Sequence, residues 1–513
     1  MTLTIDEMAT FCRRKGFVFP SSEIYGGLAG FYDYGPLGVE LKNNIKQQWW
    51  KYHVQDREDV VGIDGTTVTH RKIWEASGHT ANFADIMVQC TKCNERYRAD
   101  TLIEDVLKVR TDGLKAGELD VLIKDNKVAC PKCRGPLGTA AAFNLMFVTY
   151  VGPTQSPETL AYLRPETAQL IFTNFKNVVD TSRVKLPFGI AQVGRAYRNE
   201  ISPRNFLFRL REFEAMEIEY FIHPKDVGNC ELLNDVLNTR LLLWSADAQK
   251  KKMPETEMTV KEALDKGIIK TPWIAYWLAT EYSWFRMLGC DPSRLRCRQH
   301  VPDELSHYSA DTWDTEYNFP FGWKELQGFA NRQDFDLQQH MKHSGQQLTL
   351  YDEENKQHVV PHVICEPALG VDRSFLLFMF DAYHDDKDRG NVVLRFHPSL
   401  APIKVGVFPL VNKLEDKARD IFKMLKAEFA CQFDRSGSIG RRYARADEIG
   451  IPFCVTIDFD TIEKDQAVTV RNRDTTKQIR VPIAVLAETL HKLLAGRIEF
   501  DKAGTPIAST PVA

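Results

Sequence analysis

The sequence predicts an α+β protein, with a large domain built on an antiparallel sheet and a small α/β domain at the C-terminus. Residues 191–221 alternate in the manner of two strands joined by a short loop. Two Cys-x-x-Cys pairs interrupt the first part of the chain, and short strands alternate with helical segments after residue 403. The 513 residues, 43% hydrophobic and 26% charged, have the composition of a globular protein with room for several domains.

The charge balance argues against a protein that is basic throughout. The net charge is −3, so any contact with nucleic acid has to come from local basic patches such as residues 195–211. The first residues lack the apolar stretch of a signal peptide, and no apolar run approaches the length of a membrane span. Of the eleven cysteines, those outside the two pairs are scattered, as in a reducing compartment. We therefore expect a cytoplasmic protein with no membrane partner.

A helix is predicted to begin at Pro36, because the N–H group that proline lacks would be unpaired in the first turn. Leu37, Leu41, Ile45 and Trp49 recur every four residues and form one apolar stripe. The stripe fits two interpretations equally well: packing in the chain's own core, or an interface with another subunit.

The two Cys-x-x-Cys pairs predict a metal site. Cys90 and Cys93 form one pair, and Cys130 and Cys133 form the other. Each pair is a knuckle that offers two sulfurs to a tetrahedral ion, so the spacing predicts a four-thiolate zinc ribbon. Four thiolates leave no open coordination position, which favours a structural role, with a disulfide or chance spacing as the alternatives. The segment between the pairs is predicted to be helical and exposed.

The predicted hairpin has two faces of different chemistry. Met216, Ile218 and Tyr220 form a face that can pack into a core. The other face carries arginines, an aromatic ring and carboxylates: Arg198 and Glu200 on the first strand, and Arg209, Arg211, Phe213 and Glu217 on the second. A nucleotide together with an amine fits this face, since the arginines can hold phosphates, Phe213 can stack a base and Glu217 can accept from an ammonium. The alternative is an ordinary amphipathic hairpin with solvated charges.

Three further segments carry candidate residues. In LRPETAQ, at residues 163–169, Thr167 is predicted to cap a helix that continues to Phe175. Residues 317–337 predict a strand carrying Glu325, followed by a loop. Residues 359–383 predict a strand, a turn and a nearly all-apolar helix with Arg373 in its first turn, which requires either an anionic ligand or a neighbouring carboxylate.

The remaining segments complete the predicted organisation. Residues 225–300 are densely aromatic in places and are predicted to be rich in helix. A linker at residues 397–402 precedes the C-terminal α/β domain of strands and helices. In that domain Arg441 and Arg445 share a helix face, either as a phosphate contact or, slightly favoured, as a solvated surface.

These motifs resemble the three signature motifs of class II aminoacyl-tRNA synthetases. The first is Pro36 in GPLG, the second is Arg198-Asn-Glu with Arg209, Phe213 and Glu217, and the third ends at Arg373 in GVDR. More narrowly, GGLAGFYDYGPLG, LRPETAQ, FRLREFE and CEPALGVDR are similar to segments of the dimeric glycyl-tRNA synthetase family, and the similarity runs nearly end to end. The class I signatures HIGH and KMSKS are absent from the sequence.

The resemblance implies a domain organisation and a set of ligands. It implies a class II catalytic domain over residues 1–398, with a zinc-ribbon-like insertion at 86–150 and a helical insertion at 225–310, and an anticodon-binding domain over 403–505. It also implies a homodimer that uses glycine, ATP with Mg²⁺ and tRNA(Gly), with a structural Zn²⁺. The loop at 201–207 resembles the segment that meets the acceptor end of the tRNA.

The resemblance also implies site residues. Catalytic roles fall on Arg198, at the α-phosphate, and on Arg373, at the γ-phosphate, and Glu325 is expected to hold Mg²⁺. The implied ATP-binding residues are Arg198, Asn199, Glu200, Phe208, Arg209, Leu210, Arg211, Glu212, Phe213, Glu325, Leu326, Gly370, Val371, Asp372 and Arg373. The implied glycine-binding residues are Arg98, Glu166, Phe213, Glu214, Ala215, Met216, Glu217, Glu366, Pro367, Ala368, Leu369 and Gly370.

Selection of glycine needs only acids and steric exclusion. Glu166, Glu217 and Glu366 are candidate acceptors for the ammonium, and because every competing amino acid is larger, we expect no editing domain. The family commonly carries serine at the position of Ala368, so a hydroxyl near the amino group is missing here and the carboxylates have more to do. Arg98 follows the first cysteine pair, so either the zinc unit positions it at the site or it is a surface residue.

Three other functions compete with this interpretation. A non-catalytic synthetase-like protein that binds nucleic acid has no reason to keep the arginines and glutamates of the ligand face. A class II enzyme for proline, threonine or histidine is disfavoured by the RPETAQ segment. A zinc-ribbon binding module explains only residues 86–150.

Overall fold

The structure, a computed structural model, describes residues 3–109, 111, 113–304 and 311–507. Residues 1, 2, 110, 112 and 305–310, which fall in the predicted catalytic domain and its two insertions, therefore lie outside the described residues. The α-helices are α1 (Ile5–Lys15), α2 (Pro36–Trp50), α3 (Arg71–Ala76), α4 (His79–Asn82), α5 (Ala99–Leu107), α6 (Ala116–Asp125), α7 (Ala168–Ser182), α8 (Ala246–Lys250), α9 (Val260–Asp265), α10 (Pro272–Met287), α11 (Phe335–Ser344), α12 (Val371–Ala382), α13 (Glu415–Lys426), α14 (Ile439–Glu448), α15 (Phe459–Glu463) and α16 (Leu486–Leu494).

The strands are β1 (Val18–Pro20), β2 (Tyr32–Tyr34), β3 (Val60–Ile63), β4 (Val68–His70), β5 (Ala84–Gln89), β6 (Arg96–Arg98), β7 (Ala141–Asn144), β8 (Phe147–Tyr150), β9 (Leu160–Leu163), β10 (Phe188–Tyr197), β11 (Glu212–Ile222), β12 (Arg240–Trp244), β13 (Thr256–Thr259), β14 (Leu295–Gln299), β15 (Thr312–Phe319), β16 (Gly322–Ala330), β17 (Leu350–Asp352), β18 (Gln357–Val359), β19 (His362–Gly370), β20 (Tyr383–Asp386), β21 (Asn391–Leu394), β22 (Val405–Pro409), β23 (Cys431–Phe433), β24 (Phe453–Ile457), β25 (Ala467–Asn472), β26 (Gln478–Pro482) and β27 (Thr505–Pro506).

A nine-stranded sheet forms the centre of the larger part of the molecule. Its strand order is β13-β12-β14-β15-β16-β19-β11-β10-β3, and the pairs are antiparallel except for β12 with β14 and β10 with β3. The predicted hairpin is confirmed as β10 and β11, which pair Gln192 with Glu217 and Ala196 with Phe213. The two faces therefore have the predicted parity.

The connection inside the hairpin is longer than predicted. β10 ends at Tyr197 and β11 begins at Glu212, so four residues that were predicted on the strands lie in a loop instead: Arg198, Glu200, Arg209 and Arg211. The Arg198 N–H still donates to the Arg211 carbonyl at 2.9 Å. Beyond that bond the chain turns away at Asn205 and Phe206, whose φ angles are 59° and 54°, and such left-handed residues end a strand pairing.

The stripe of α2 packs against the chain's own core. Leu41, Ile45 and Trp49 are fully buried there, and Leu37 is partly buried against the same cluster. The core interpretation of the stripe is thus confirmed, and Pro36 stands at the predicted first turn. The apolar face of β11, Met216 with Ile218 and Tyr220, belongs to this core as well.

Two local predictions need correction. The side chain of Thr167 does not cap α7, because both its N–H and its hydroxyl donate to the buried carboxylate of Glu217. The segment predicted to be a helical insertion contains α8, α9 and α10 but also contributes β12, β13 and β14 to one edge of the main sheet. Short runs such as LLLW at residues 241–244 are ambiguous between helix and strand by pattern alone, and pairing with the edge of β14 selects the strand.

The cysteine-containing unit is a three-stranded sheet, in the order β6-β5-β7, packed against α5 and α6. The helices between the cysteine pairs are confirmed, but the expectation that they are exposed is wrong. Leu102 and Ile103 of α5 and Leu119 and Ile123 of α6 are buried in a small core of their own. The apolar sides of the two helices cover this sheet, because three short strands need a packed helix to bury their apolar face. β8, at the end of the insertion expected over residues 86–150, does not belong to this unit, because it pairs with β9 in a different sheet.

The C-terminal part is the predicted α/β domain. Its sheet has the order β23-β22-β24-β25-β26-β27, and α13 and α16 cover an independent apolar core. The domain joins the larger part at the β20–β21 hairpin, where Arg389 donates to the Arg473 carbonyl at 2.7 Å. Within the described residues, we find no helix with both the length and the apolar character needed to cross a bilayer.

Candidate active site

A cleft of about 240 Å³ opens on the ligand face of the main sheet, between β11, β16, β19 and the first turn of α12. It brings together most of the predicted residues from segments far apart in the chain. Its lining includes Arg198, Glu200, Phe208, Arg209, Leu210, Phe213, Ala215, Glu217, Glu325, Leu326, Ala368, Leu369, Gly370, Asp372 and Arg373.

Arg198 is held between two aromatic rings. Its guanidinium carbon lies 5.3 Å from the centre of the Phe213 ring and 5.4 Å from that of Phe83. Its Nε donates to the Pro165 carbonyl at 3.0 Å, so the other guanidinium nitrogens are left for a ligand in the cleft. Phe83 was missed by the sequence analysis, because it comes from a loop after α4 and no local pattern marks it.

Arg373 enters the cleft from the first turn of α12, as predicted. Its Nη1 donates to the backbone carbonyl and to the carboxylate of Glu325, both at 3.0 Å. Its guanidinium carbon lies 4.6 Å from the centre of the Phe208 ring. The charge of Arg373 lowers the pKa of Glu325. A carboxylate partner for Arg373 is therefore present in the cleft, beside the positive end of the helix.

Three predicted acids lie together at the inner end of the site. Glu217 accepts from the Thr167 N–H at 2.9 Å, and burial, together with the charge of Glu166, raises its pKa. Burial also acts to raise the pKa of Glu166, but the charge of His79, at 3.2 Å, with help from Arg332, lowers it below its ordinary value. The acids are thus close enough to repel one another, and a cation bound between them would relieve that repulsion.

Arg332 is a residue of this region that the sequence analysis missed. Its Nη1 donates to both carboxylate oxygens of Glu366, at 3.0 and 3.1 Å. Even so, burial raises the pKa of Glu366 to about 8, with Glu166 and Glu217 adding to the effect and Arg332 opposing it. The only signal for Arg332 in the sequence is the polar segment NRQDFD at residues 331–336, whose pattern predicts an ordinary loop.

Glu219 is the third residue that the sequence analysis missed. It lies on the same face as Glu217, is fully buried, and has no hydrogen-bond partner for either carboxylate oxygen among the residues that the structure describes. Burial and the charge of the neighbouring Glu366 raise its pKa well above the ordinary value. The period-two parity that marked Glu217 also marks Glu219, so this position could have been found from the sequence.

Other predicted residues lie outside the cleft. Arg98 sits in an adjoining groove and is paired with Asp85, at 3.0 Å, and with Asp100. Burial acts to lower the pKa of Arg98, but the hydrogen bond with Asp100 and the charges of both aspartates outweigh it and raise the pKa. Arg211 donates to the backbone carbonyls of Glu200 and Ala29 and so holds the loop ends.

Several more of the predicted site residues lie on the opposite face of β11 or at the start of α12. Glu214 pairs with Lys42 at 2.9 Å, and its N–H donates to Asp372, which also accepts from the Tyr34 hydroxyl. These contacts fasten the floor of the cleft to α2. Glu212 pairs with Arg195, and the Asn199 N–H donates to the Leu145 carbonyl. Three further predicted residues are buried and do not line the cleft: Met216, Pro367 and Val371.

The four predicted zinc-binding cysteines converge. All four sulfur atoms lie within 4.8 Å of one another, with Cys90 and Cys133 3.5 Å apart and Cys93 and Cys130 3.6 Å apart. A tetrahedral ion with Zn–S bonds of about 2.3 Å places its sulfurs about 3.8 Å apart. The donor set and its spacing therefore fit zinc.

Comparison with known proteins agrees with this architecture. Residues 154–383 match the model of the tRNA synthetase class II core domain (G, H, P, S and T), and residues 404–493 match that of the anticodon binding domain. The glycine–tRNA ligase of Caldanaerobacter subterraneus subsp. tengcongensis is 46% identical over 97% of this chain and 99% of its own length. That of Geobacillus thermodenitrificans is 46% identical over 96% and 98%, and that of Geobacillus kaustophilus 45% over 96% and 100%.

The sheet, the arginine-lined cleft and the matched core domain define a class II aminoacyl-tRNA synthetase. The similarity to glycine–tRNA ligases covers nearly all of this chain and of those relatives, and it therefore identifies the family within that class. The chain belongs to the glycine–tRNA ligase family.

Proposed function

We propose that the protein activates glycine with ATP to glycyl-adenylate and then transfers the glycyl group to the 3′ end of tRNA(Gly). The observation that carries the proposal is the cleft itself. Its lining presents the guanidinium groups of Arg198 and Arg373 together with the buried acid Glu217. A polyphosphate and an ammonium are the ligand charges that such an arrangement favours.

In the first step the carboxylate of glycine attacks the α-phosphorus of ATP, and pyrophosphate leaves. A carboxylate is already a nucleophile at neutral pH, so no general base is needed, and the chain's task is to align the reactants and to neutralise phosphate charge. Arg198 is assigned to the α-phosphate, because Phe83 and Phe213 fix its plane. Arg373 is assigned to the γ-phosphate end, where binding would exchange its contact with Glu325 for phosphate oxygens.

Glycine is selected by charge and by lack of space. The ammonium is bound by Glu166, Glu217 and Glu366, whose repulsion it relieves. A side chain on the α-carbon has to displace residues of a sheet floor that is locked by Thr167 and Arg332. Larger amino acids are therefore rejected sterically, which is the discrimination that packed sites achieve most readily.

In the second step a terminal ribose hydroxyl of the tRNA attacks the glycyl carbonyl, and AMP leaves as the mixed anhydride bond breaks. The loop between Arg198 and Arg211 stands at the mouth of the cleft, and its exposed Arg204 offers a contact for the acceptor end. Residues 404–493, which match an anticodon-binding model, supply the second contact with the tRNA.

Two metal ions are part of the proposal. Glu325 would hold Mg²⁺, which enters with ATP and screens the charge of its phosphates. Cys90, Cys93, Cys130 and Cys133 would hold a structural Zn²⁺, as supported by the convergence of their sulfurs.

We also infer a homodimer that works in the cytoplasm. Since the α2 stripe is used inside the chain, the second copy needs another apolar surface, and Ile24 and Tyr25, each 87% exposed, with Leu28 and Val39 provide one. Sedimentation of the full chain should give the mass of two copies, and Tyr25→Asp should shift it to one. All eleven cysteines lie within the described residues and none of them forms a disulfide there, which supports a reducing compartment.

The test of the function is glycine-dependent exchange of pyrophosphate into ATP. Arg198→Ala and Arg373→Ala should each lower kcat/KM by about 100-fold or more, because each removes charge stabilisation at the phosphates. Arg195→Ala is the matched control, since Arg195 is a 63% exposed residue of the same hairpin that pairs with Glu212. Unchanged exchange in folded Arg198→Ala protein would refute the assignment.

The same assay separates the competing functions. Exchange that depends on proline, threonine or histidine and not on glycine would indicate another class II enzyme. No exchange with any amino acid, combined with tRNA binding, would indicate a non-catalytic relative.

A further inference from the structure

A network of buried polar side chains lies behind the acids of the cleft and is not part of its lining. Gln169 from α7, Arg332 from the loop after β16, and Asp336 and His340 from α11 form it, and each is at most 6% exposed. Buried polar groups lower the stability of the fold unless all their hydrogen bonds are made. The partners of these four side chains therefore indicate the role of the network.

Asp336 is the centre of the network. Arg332 donates to it through Nε at 2.7 Å and through Nη2 at 2.9 Å, in a two-bond fork. Oδ1 of Asp336 also accepts from Nε2 of Gln169 at 2.8 Å. One carboxylate therefore fixes the orientation of a guanidinium and of an amide at the same time.

Both groups continue directly to acids of the proposed glycine site. Arg332 uses its remaining nitrogen, Nη1, to hold the two oxygens of Glu366. Nε2 of Gln169 donates to Oε1 of Glu166 at 3.1 Å. Two of the three acids assigned to the ammonium, Glu166 and Glu366, are thus held by partners that both bind Asp336.

His340 closes the network. Because both amide hydrogens of Gln169 are donated, to Glu166 and to Asp336, its carbonyl oxygen has to accept, and Nε2 of His340 lies 2.8 Å from it. The histidine is therefore the tautomer with hydrogen on Nε2. Burial lowers the pKa of His340 to about 4, so the ring stays neutral and the amide of Gln169 is kept from flipping.

We infer that Asp336 is a positioning residue for glycine recognition, acting through Arg332 on Glu366 and through Gln169 on Glu166. The inference rests on the proposed function of the cleft. Glycine offers no side chain to the protein, so the placement of these acids around one ammonium determines its affinity. A displacement of about 1 Å in such a site costs on the order of 100-fold in rate.

Asp336→Asn in the full-length protein tests this. The amide keeps the size of the side chain but turns an N–H donor towards a donor of Arg332 or Gln169, so one arm is lost. The KM for glycine in the exchange assay should rise about tenfold or more, with the KM for ATP within about twofold of the wild type. Asp334→Asn is the matched control, because Asp334 is two residues earlier, at the start of the same helix, and its carboxylate accepts a hydrogen bond from the exposed Gln338.

Gln169→Met supplies a second test in case Asp336→Asn does not fold. It cuts the arm to Glu166 and leaves the Asp336–Arg332 pair in place, so the KM for glycine should again rise while that for ATP does not. An unchanged KM for glycine in every folded variant, or equal rises for both substrates, would overturn the inference. Wild-type protein without glycine-dependent exchange would instead overturn the proposed function.

Discussion

Glu217, Glu219 and Glu366 lie on one face of the main sheet, and burial raises the pKa of each of them. With its pKa raised to about 8, Glu366 holds a proton near neutral pH, and this proton compensates for part of the charge when no cation is bound. This compensation has a cost in stability, since a carboxyl group that holds its proton only because it is buried would be ionised in the unfolded chain. At the scale of single residues, these buried acids lower the stability of the folded protein but provide a site for a cationic ligand.

Glu366→Gln tests this cost. Because the pKa is about 8 in the folded protein and 4.5 ordinarily, the folded state binds the extra proton between these values, so this residue's contribution to the free energy of unfolding falls as pH rises through that window. The variant lacks the titration. Its stability relative to the wild type should therefore increase from pH 5 to pH 8, by up to about 1 kcal/mol per pH unit.

Thermal unfolding of the unliganded protein at a series of pH values measures the effect. Glu58→Gln, at an exposed position, is the control, and its melting temperature should follow the wild type at every pH. A difference between Glu366→Gln and the wild type that shrinks as pH rises would contradict the assignment.

At the scale of elements, β10 is held in place by a buried arginine. Arg164, in the predicted LRPETAQ segment, donates to the carbonyls of Arg195 and Gly65, both at 2.7 Å. The space for its guanidinium exists only because residue 194 is glycine, since an added Cβ would lie 2.1 Å from Nη2 of Arg164. A close approach of this kind explains a glycine in the middle of a central strand.

Gly194→Ala should therefore lower the free energy of unfolding by about 1–3 kcal/mol, as overpacking does in a closed interior. Gly440→Ala is the contrasting control: nothing lies within 4 Å of the added methyl in helix α14, so the change should be neutral or stabilising by up to about 1 kcal/mol. Urea unfolding of both variants measures the two values, and equal stability of Gly194→Ala and the wild type would refute the steric argument.

The cysteine-containing unit is the second element whose integrity can be tested. Its core is small, so four metal–sulfur bonds between two distant knuckles should contribute much of its stability. We expect about one zinc per chain. Its removal by a chelator should speed hydrogen exchange over residues 84–144 and leave residues 403–505 unaffected.

Cys133→Ser should reproduce the effect of the chelator, whereas Cys431→Ser, at a half-buried cysteine outside the cluster, should not. Metal-free protein with unchanged hydrogen exchange over residues 84–144 would contradict the structural role of the metal.

At the scale of the whole molecule, the two parts are joined by arginine contacts to backbone carbonyls. Arg389, in the β20–β21 hairpin that follows α12, donates to the carbonyls of Arg473 and Asp474 and to the carboxylate of Asp447. Arg473 donates in return to the Phe396 carbonyl at 2.7 Å. The helix that carries Arg373 is thus followed directly by the joint with the C-terminal domain.

Arg389→Ala should loosen this joint without reaching the cleft. Glycine-dependent exchange should stay within about twofold of the wild type, while charging of tRNA, which has to contact both parts, should slow by about tenfold. The linker at residues 397–402 should also become easier to cleave with protease. Arg395→Ala, at a 41% exposed neighbour whose Asp386 contact is 3.6 Å long, is the control, and equal charging by both variants would contradict the coupling.

The sequence by itself determined the properties that follow from local spacing. Strand parity assigned Glu217 to the ligand face and Met216 to the core, the Cys-x-x-Cys spacing marked the four thiolates, and the apolar run after Gly370 marked a helix with Arg373 at its start. In each case the signal lies within a few residues, because side-chain direction repeats with the period of the backbone.

Only the tertiary structure decided which distant residues meet. It placed Phe83 beside Arg198 and paired Arg332 with Glu366. It also showed that Thr167 donates a hydrogen bond to Glu217 and does not cap its helix. It also paired Arg98 with two aspartates outside the cleft. These contacts join segments far apart in the chain. Their geometry is set by how sheets and helices pack, a property that no local period in the sequence encodes.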